Sequence, residues 1–206
     1  MNKKIRNVCL IVIALLVFFV LIPLFNRGQN EDSEAVIYPL YDAKYADTIE
    51  DTNHIALFDE KLEFPMPMKD LPDAFHIAKR YYDDMTDGIE AGDSFQCELL
   101  NASDEPVAYI KVTNQKKNTV ISPDDMVITY MVASSFKADD QQYAVPFVIQ
   151  KGIGVGSSAA EVKAVFPDAD IPDTDDYSVV NVTSGIMKIT LEFVDQTVYK
   201  MAVSSY

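Results

Sequence analysis

The sequence predicts an α+β protein: an N-terminal transmembrane helix, then two tandem units, each with one helix packed on an antiparallel meander sheet. Three observations carry this expectation. Residues Val8 to Phe25 hold no charge. Beyond a polar stretch, the order strand, helix, three strands occurs twice. Along the second-to-last strand, Ile186, Lys188, Thr190 and Glu192 alternate with Met187, Ile189, Leu191 and Phe193, the pattern of a sheet with one wet and one packed face.

The opening MNKKIRNVCLIVIALLVFFVLIPLF is basic and then uncharged for 18 residues. At ~1.5 Å per residue such a run makes about 27 Å of helix, close to the hydrocarbon thickness of a bilayer. Ile22-Pro-Leu-Phe-Asn-Arg27 follows, with none of the small residues a signal peptidase requires, so the run reads as an uncleaved anchor. Lys3, Lys4 and Arg6 precede it and Arg27 follows, which places the N-terminus in the cytoplasm and everything from Gly28 outside. Cys9 opens the apolar run instead of closing it, which does not suit a lipoprotein anchor. Cys97 is then the only thiol outside, so an intramolecular disulfide is excluded. Within SFQCELL, alternation places Cys97 on one face with Phe95 and Leu99, as a small core residue.

Charge narrows the partners. Every one of the 32 acidic residues lies from Glu31 onward. Four of the 17 Lys and Arg flank the anchor, which leaves 13 against 32 and a net charge of −19 outside. A chain this acidic is ill suited to nucleic acid or to anionic lipid.

Residues 28–54, with NEDSE near the start and Tyr38, Tyr41 and Tyr45 at no fixed period, read as an acidic stalk. The first unit, 55–140, opens on IALFDEKLEF as a strand. A helix is expected next, with Asp70 as N-cap, Pro72 in its first turn, and Leu71, Ala74, Phe75, Ala78, Tyr81 and Tyr82 on its buried side. SFQCELLN, PVAYIKVTN and DMVITYMVASSF supply three strands. The second unit, 141–206, repeats this order with YAVPFVIQKGI, the helix SSAAEVKAVFP, and three strands joined by the tight turns Thr183-Ser-Gly-Ile186 and Val194-Asp-Gln-Thr197.

Few residues suggest chemistry. Gly154-Val-Gly-Ser-Ser-Ala159 satisfies the dinucleotide pattern G-x-G-x-x-A between a strand and a helix, but that site needs a parallel βαβ unit, whereas a meander follows. The same letters start a helix: Gly152, Gly154 and Gly156 free the turn, Ser158 caps, and Glu161 closes a capping box. Ser134-Ser-Phe-Lys137 spells the S-x-x-K of penicillin-recognising enzymes, yet ends a strand and lacks the partner motifs. His54 and His76 are too few for a transition-metal cluster. The carboxylates Asp168, Asp170, Asp173, Asp175 and Asp176 are the candidate ligands for calcium, without the Gly and terminal Glu of an EF-hand. Asp83, Asp84 and Asp87 end the first expected helix, where negative charge opposes the dipole. No catalytic residue, and no cofactor, is expected.

The phrase IQKGIGVGSSAAEVKAVFP resembles the GI-x-x-G-x-x-x-x-E-V opening of small αβ-meander domains, such as BamE/SmpA-like lipoprotein domains and the tandem halves of β-lactamase inhibitory proteins. Gly152, Ile153, Gly156, Glu161 and Val162 match it; Pro167 stands where that family usually has Gly. The resemblance covers about residues 147–206, and similar tandems occur in membrane-anchored or secreted proteins of Gram-positive bacteria. It implies a non-catalytic module that binds another protein. The expectation is therefore an extracytoplasmic interaction module at the cell membrane, engaging a protein or a cell-wall component. The alternatives are an envelope hydrolase working through paired carboxylates in the 168–176 cluster, and a calcium-stabilised surface domain.

Overall fold

The computed structural model describes residues 37–39, 52–84, 88–138, 141–173 and 176–205. The anchor expected over 8–25 lies outside them, as does the stalk apart from 37–39 and 52–54. Among the described residues no helix is long and apolar enough to cross a membrane.

The first elements are β1 (Ile37–Pro39), the hairpin β2 (His54–Leu57) and β3 (Glu60–Glu63), and the two-residue β4 (Met66–Pro67). IALFDEKLEF is thus two strands and not one. Phe58 takes a left-handed φ of 51°, and the chain turns there so that Leu57 pairs with Glu60.

The helix expected from Asp70 is corrected. Met68–Asp70 forms a single 3-10 turn, Phe75–Ile77 is a strand (β5), and only Lys79–Asp84 is helical (α1). Phe75-His-Ile satisfies a period of two as well as a helical one. Pairing settles the choice, since Phe75, His76 and Ile77 lie antiparallel to Asn101, Leu100 and Leu99, with Phe75 and Ile77 buried and His76 half-exposed.

Three long strands follow, β6 (Ser94–Asn101), β7 (Pro106–Thr113) and β8 (Val127–Ser134), then β9 (Phe136–Ala138), β10 (Gln141–Ala144) and β11 (Phe147–Val148). The last two divide YAVPFVIQKGI at Val145-Pro146, because proline has no amide to give a ladder. Helix α2 (Ala159–Val165) starts on the expected capping box, with Ser158 and Glu161 bonded reciprocally. The chain ends in β12 (Ser178–Ser184), β13 (Met187–Val194) and β14 (Thr197–Ser205). The β13–β14 turn has φ of 50° and 57° at Asp195 and Gln196, the type I′ twist that suits two-residue hairpins.

The predicted fold class of two αβ-meander units is overturned by how these strands assemble. The structure is mostly antiparallel β-sheet, and both meanders belong to one eight-stranded sheet in the order β12-β13-β14-β8-β7-β6-β5, with β4 beside the first residues of β8. The two join through their last strands, from Lys200 opposite Ser134 to Ser204 opposite Tyr130. The junction removes two open edges and makes the apolar sides of β8 (Met131, Ala133) and β14 (Met201, Val203) continuous.

The packed face of this sheet, including Leu99, Ile110, Ile128, Ile189 and Leu191, forms one cluster with Ile55, Leu57, Leu62 and Phe64 of the β2–β3 hairpin, Phe147, and Val162 of α2. The opposing layer is the small sheet β11-β2-β3 and one short helix, not one helix for each meander. Thr52 and Asn53 reach the β12–β13 turn: the Ile186 amide donates to Asn53 Oδ1 (3.2 Å) and the Ser184 hydroxyl donates to the Thr52 carbonyl (3.2 Å). Gly185, at φ 57°, is required there because a Cβ would lie 2.2 Å from Asn53 Oδ1.

Candidate interaction surface

Alternation sends every second residue of the large sheet away from the core, and the register aligns these residues into rows. One row crosses six strands through Thr183, Lys188, Ser204, Tyr130, Lys111 and Gln96; the next holds Asn181, Thr190, Ala202, Val132, Tyr109 and Glu98. Where β6, β7, β8 and β14 meet, this face sinks into an open groove of about 590 Å³ lined by Tyr109, Tyr130, Lys111, Gln96 and Ser204, with Tyr81 of α1 at its side. Tyr109 is 59% exposed and Val179 48%, so aromatic and aliphatic side chains stand on a face that solvent would populate with polar ones.

The charges on this face are of two kinds. Two acids are neutralised: Arg80 pairs with Glu98 while its guanidinium lies 4.7 Å from the Tyr81 ring centre, and Lys200 pairs with Glu192 at 2.7 Å. The Tyr177 hydroxyl donates to the other oxygen of Glu192 (2.8 Å). Lys111 and Lys188 are different, since among the described residues neither makes an ion pair. In a chain of net charge −15, the central row of the face is cationic.

Burial by itself would raise the Glu192 carboxyl, but the hydrogen bonds from Lys200 and Tyr177 outweigh it and hold the group below its ordinary 4.5. A carboxyl depressed in the folded state contributes stability that is complete above the unfolded value and is lost as pH falls through the folded one. Glu192→Gln is therefore expected to shrink the loss of stability between neutral pH and about pH 3. Urea midpoints at the two pH values check this, and an equal loss in both proteins would refute it.

The residues singled out by the sequence are scattered. Asp168, Asp170, Asp173 and Asp176 are exposed on the loop before β12, and Asp175 lies outside the described residues, as does Asp87. Asp83 and Asp84 close α1. Among the described residues no three His, Cys, Asp or Glu side chains gather closely enough to hold a metal ion. His54 pairs in β2, while His76 on β5 meets Asp104 at 2.8 Å, a contact across 28 residues of chain that local pattern does not reveal. Glu98 and Glu192 stand on strands four spacings apart, roughly 19 Å at ~4.8 Å per spacing, beyond the ~5–9.5 Å over which two carboxylates share a glycosidic bond. Burial pushes the Cys97 thiol up to about 12, which suits an inert core residue. Ser134 faces outward at the end of β8 opposite Lys200, on a strand and not at a helix start.

The glycine-rich loop spends its donors internally. The amides of Gly152, Gly154, Gly156, Ser157, Ser158, Ala159 and Glu161 all donate to acceptors of the chain itself, among them Ile149 O, Ser157 Oγ, Val198 O and Glu161 Oε2. A phosphate would have to displace these bonds. Comparisons of the chain with protein-family models, with curated proteins and with solved structures give no match.

Proposed function

We propose that this chain is a non-catalytic binding module, held at the outer side of the cell membrane by its N-terminal apolar segment, that engages another protein across the outward face of the large sheet. The observation that carries the reading is the groove between β6, β7, β8 and β14, where Tyr109 and Tyr130 flank Lys111. Tyrosines give large contact area with little entropy to lose, and are enriched where protein surfaces meet. Six strands span roughly 24 Å, and eight residues along a strand about 26 Å, a surface on the scale of the ~800 Å² that each side of a standard interface buries. Lys111 and Lys188 select a partner that presents carboxylates to them.

A photo-crosslinking residue in place of Tyr109, in the full chain in membranes, is expected to give one defined protein adduct that Lys111→Glu abolishes. The same residue in place of Val120, which is equally exposed on the β7–β8 loop, gives none. Indiscriminate labelling from both positions, or none from Tyr109, would overturn the reading.

A further inference from the structure

The strand β12 is the outer strand of the large sheet, and its sequence SVVNVTS carries none of the devices that guard an edge. It has no charge and no proline, and its seven residues pair with β13 without a bulge. Among the described residues no strand pairs with its other side, and no backbone bond from a loop reaches it. Half of its amides and carbonyls are left facing outward over roughly 23 Å at ~3.3 Å per residue. Beside this edge lies a groove of about 510 Å³, bounded by Asn181 and Thr183 on the strand side and by Phe166, Asp168 and Gln150 on the other. Thr52 and Gly185 also line it. Among the described residues Asp168 is the only titratable side chain in the lining, and the same loop exposes Asp170, Asp173 and Asp176.

We propose that this edge and its groove take up one extended, basic peptide segment as an added β-strand. The backbone row defines the occupant, because only another polypeptide main chain repeats alternating donors and acceptors at that spacing. Antiparallel or parallel addition aligns side chains of the incoming strand with the exposed Val179, Asn181 and Thr183, so β-branched and small polar residues fit there. The acidic wall selects Lys or Arg where the segment passes Asp168. The groove is walled by the chain after α2, from Val165 to Ala169. Asn181 and Thr183 also stand at the margin of the sheet face described above, but the edge backbone and its groove carry this proposal without that reading.

The test uses the isotopically labelled chain and a blocked heptapeptide of alternating Val and Thr with Lys at each end, observed by NMR. The expected result is slowed hydrogen exchange and shifted resonances at Val179 to Ser184, with Asp168→Asn weakening binding about twofold to fivefold, the scale of one exposed ion pair. Two peptides N-methylated at alternate residues separate backbone pairing from adhesion: one frame loses binding and the other keeps it. Equal binding by both frames, or shifts confined to Tyr109, Lys111 and Tyr130, would overturn the proposal. Protection of the same amides on concentrating the protein without peptide would also overturn it, by assigning the edge to a second copy of the chain.

Discussion

Replacing Val203 by proline is expected to destabilise both meanders together. Val203 is fully buried in β14, between Ile189 of β13 and Met131 of β8. Its amide serves a ladder on one side or the other, so proline removes a bond from the centre of the sheet and leaves a carbonyl unpaired, at about 1–3 kcal/mol. The ring fits poorly in a paired strand, and the valine contacts across the packed face are lost as well. A total on the order of 4 kcal/mol is a large part of the roughly 5–15 kcal/mol that holds a domain folded. The position matters as much as the size, because β14 carries the junction. In two independent units the damage would stop at the second. In one sheet, β8 loses its neighbour, and the exchange protection of amides in β6 and β7 falls with that of β12 and β13. Amides of β6 and β7 that keep wild-type protection in Val203→Pro would show that the meanders are stable separately.

Much of the local structure was legible because it is written within a few residues. Met187, Ile189, Leu191 and Phe193 are all buried, as their alternation requires, and Ser158 with Glu161 builds the capping box that those letters predict. The failures have physical causes of another range. Leu71 to Tyr82 keeps a helical period, but Phe75-His-Ile also alternates, and the partner that decides between them, Leu99–Asn101, lies more than twenty residues away. Phe58 gives no hint of a turn, because phenylalanine rarely takes a positive φ; it turns there with its amide bonded to the Pro146 carbonyl at 2.7 Å. The pairing of β14 with β8 could not be read either, since sixty residues separate the strands and each looks complete as a meander member. The candidate surface shares that limit. Tyr109, Tyr130, Lys111 and Ser204 each occupy an ordinary outward position, and only the strand order makes them neighbours.

Replacing Gly154 by valine separates the two meanings of the glycine-rich loop. A Cβ at this position would lie 2.2 Å from the Phe147 carbonyl oxygen and 2.8 Å from Val148 Cγ1. Phe147 cannot give way, being fully buried and paired with Leu57. The loop must therefore lift off β11, breaking the bridge of Gly154 with Val148 and straining the adjacent 2.7 Å bond from the Ile149 amide to the Ile153 carbonyl. Backbone displacement of this kind costs about 3 kcal/mol or more, which for a domain of this size lowers Tm by roughly 10 °C. Gly152→Ala and Gly156→Ala, at φ of 74° and 95°, incur a conformational penalty of only about 1–2 kcal/mol each and rank below it. In a phosphate-binding loop added nucleotide would raise the Tm of the unaltered protein, and loss of Gly156, the second glycine of the pattern, would chiefly abolish that gain. Here the melting loss is expected in plain buffer, with nucleotide changing neither protein. A Gly154→Val variant that melts with the unaltered protein would return the loop to the ligand reading.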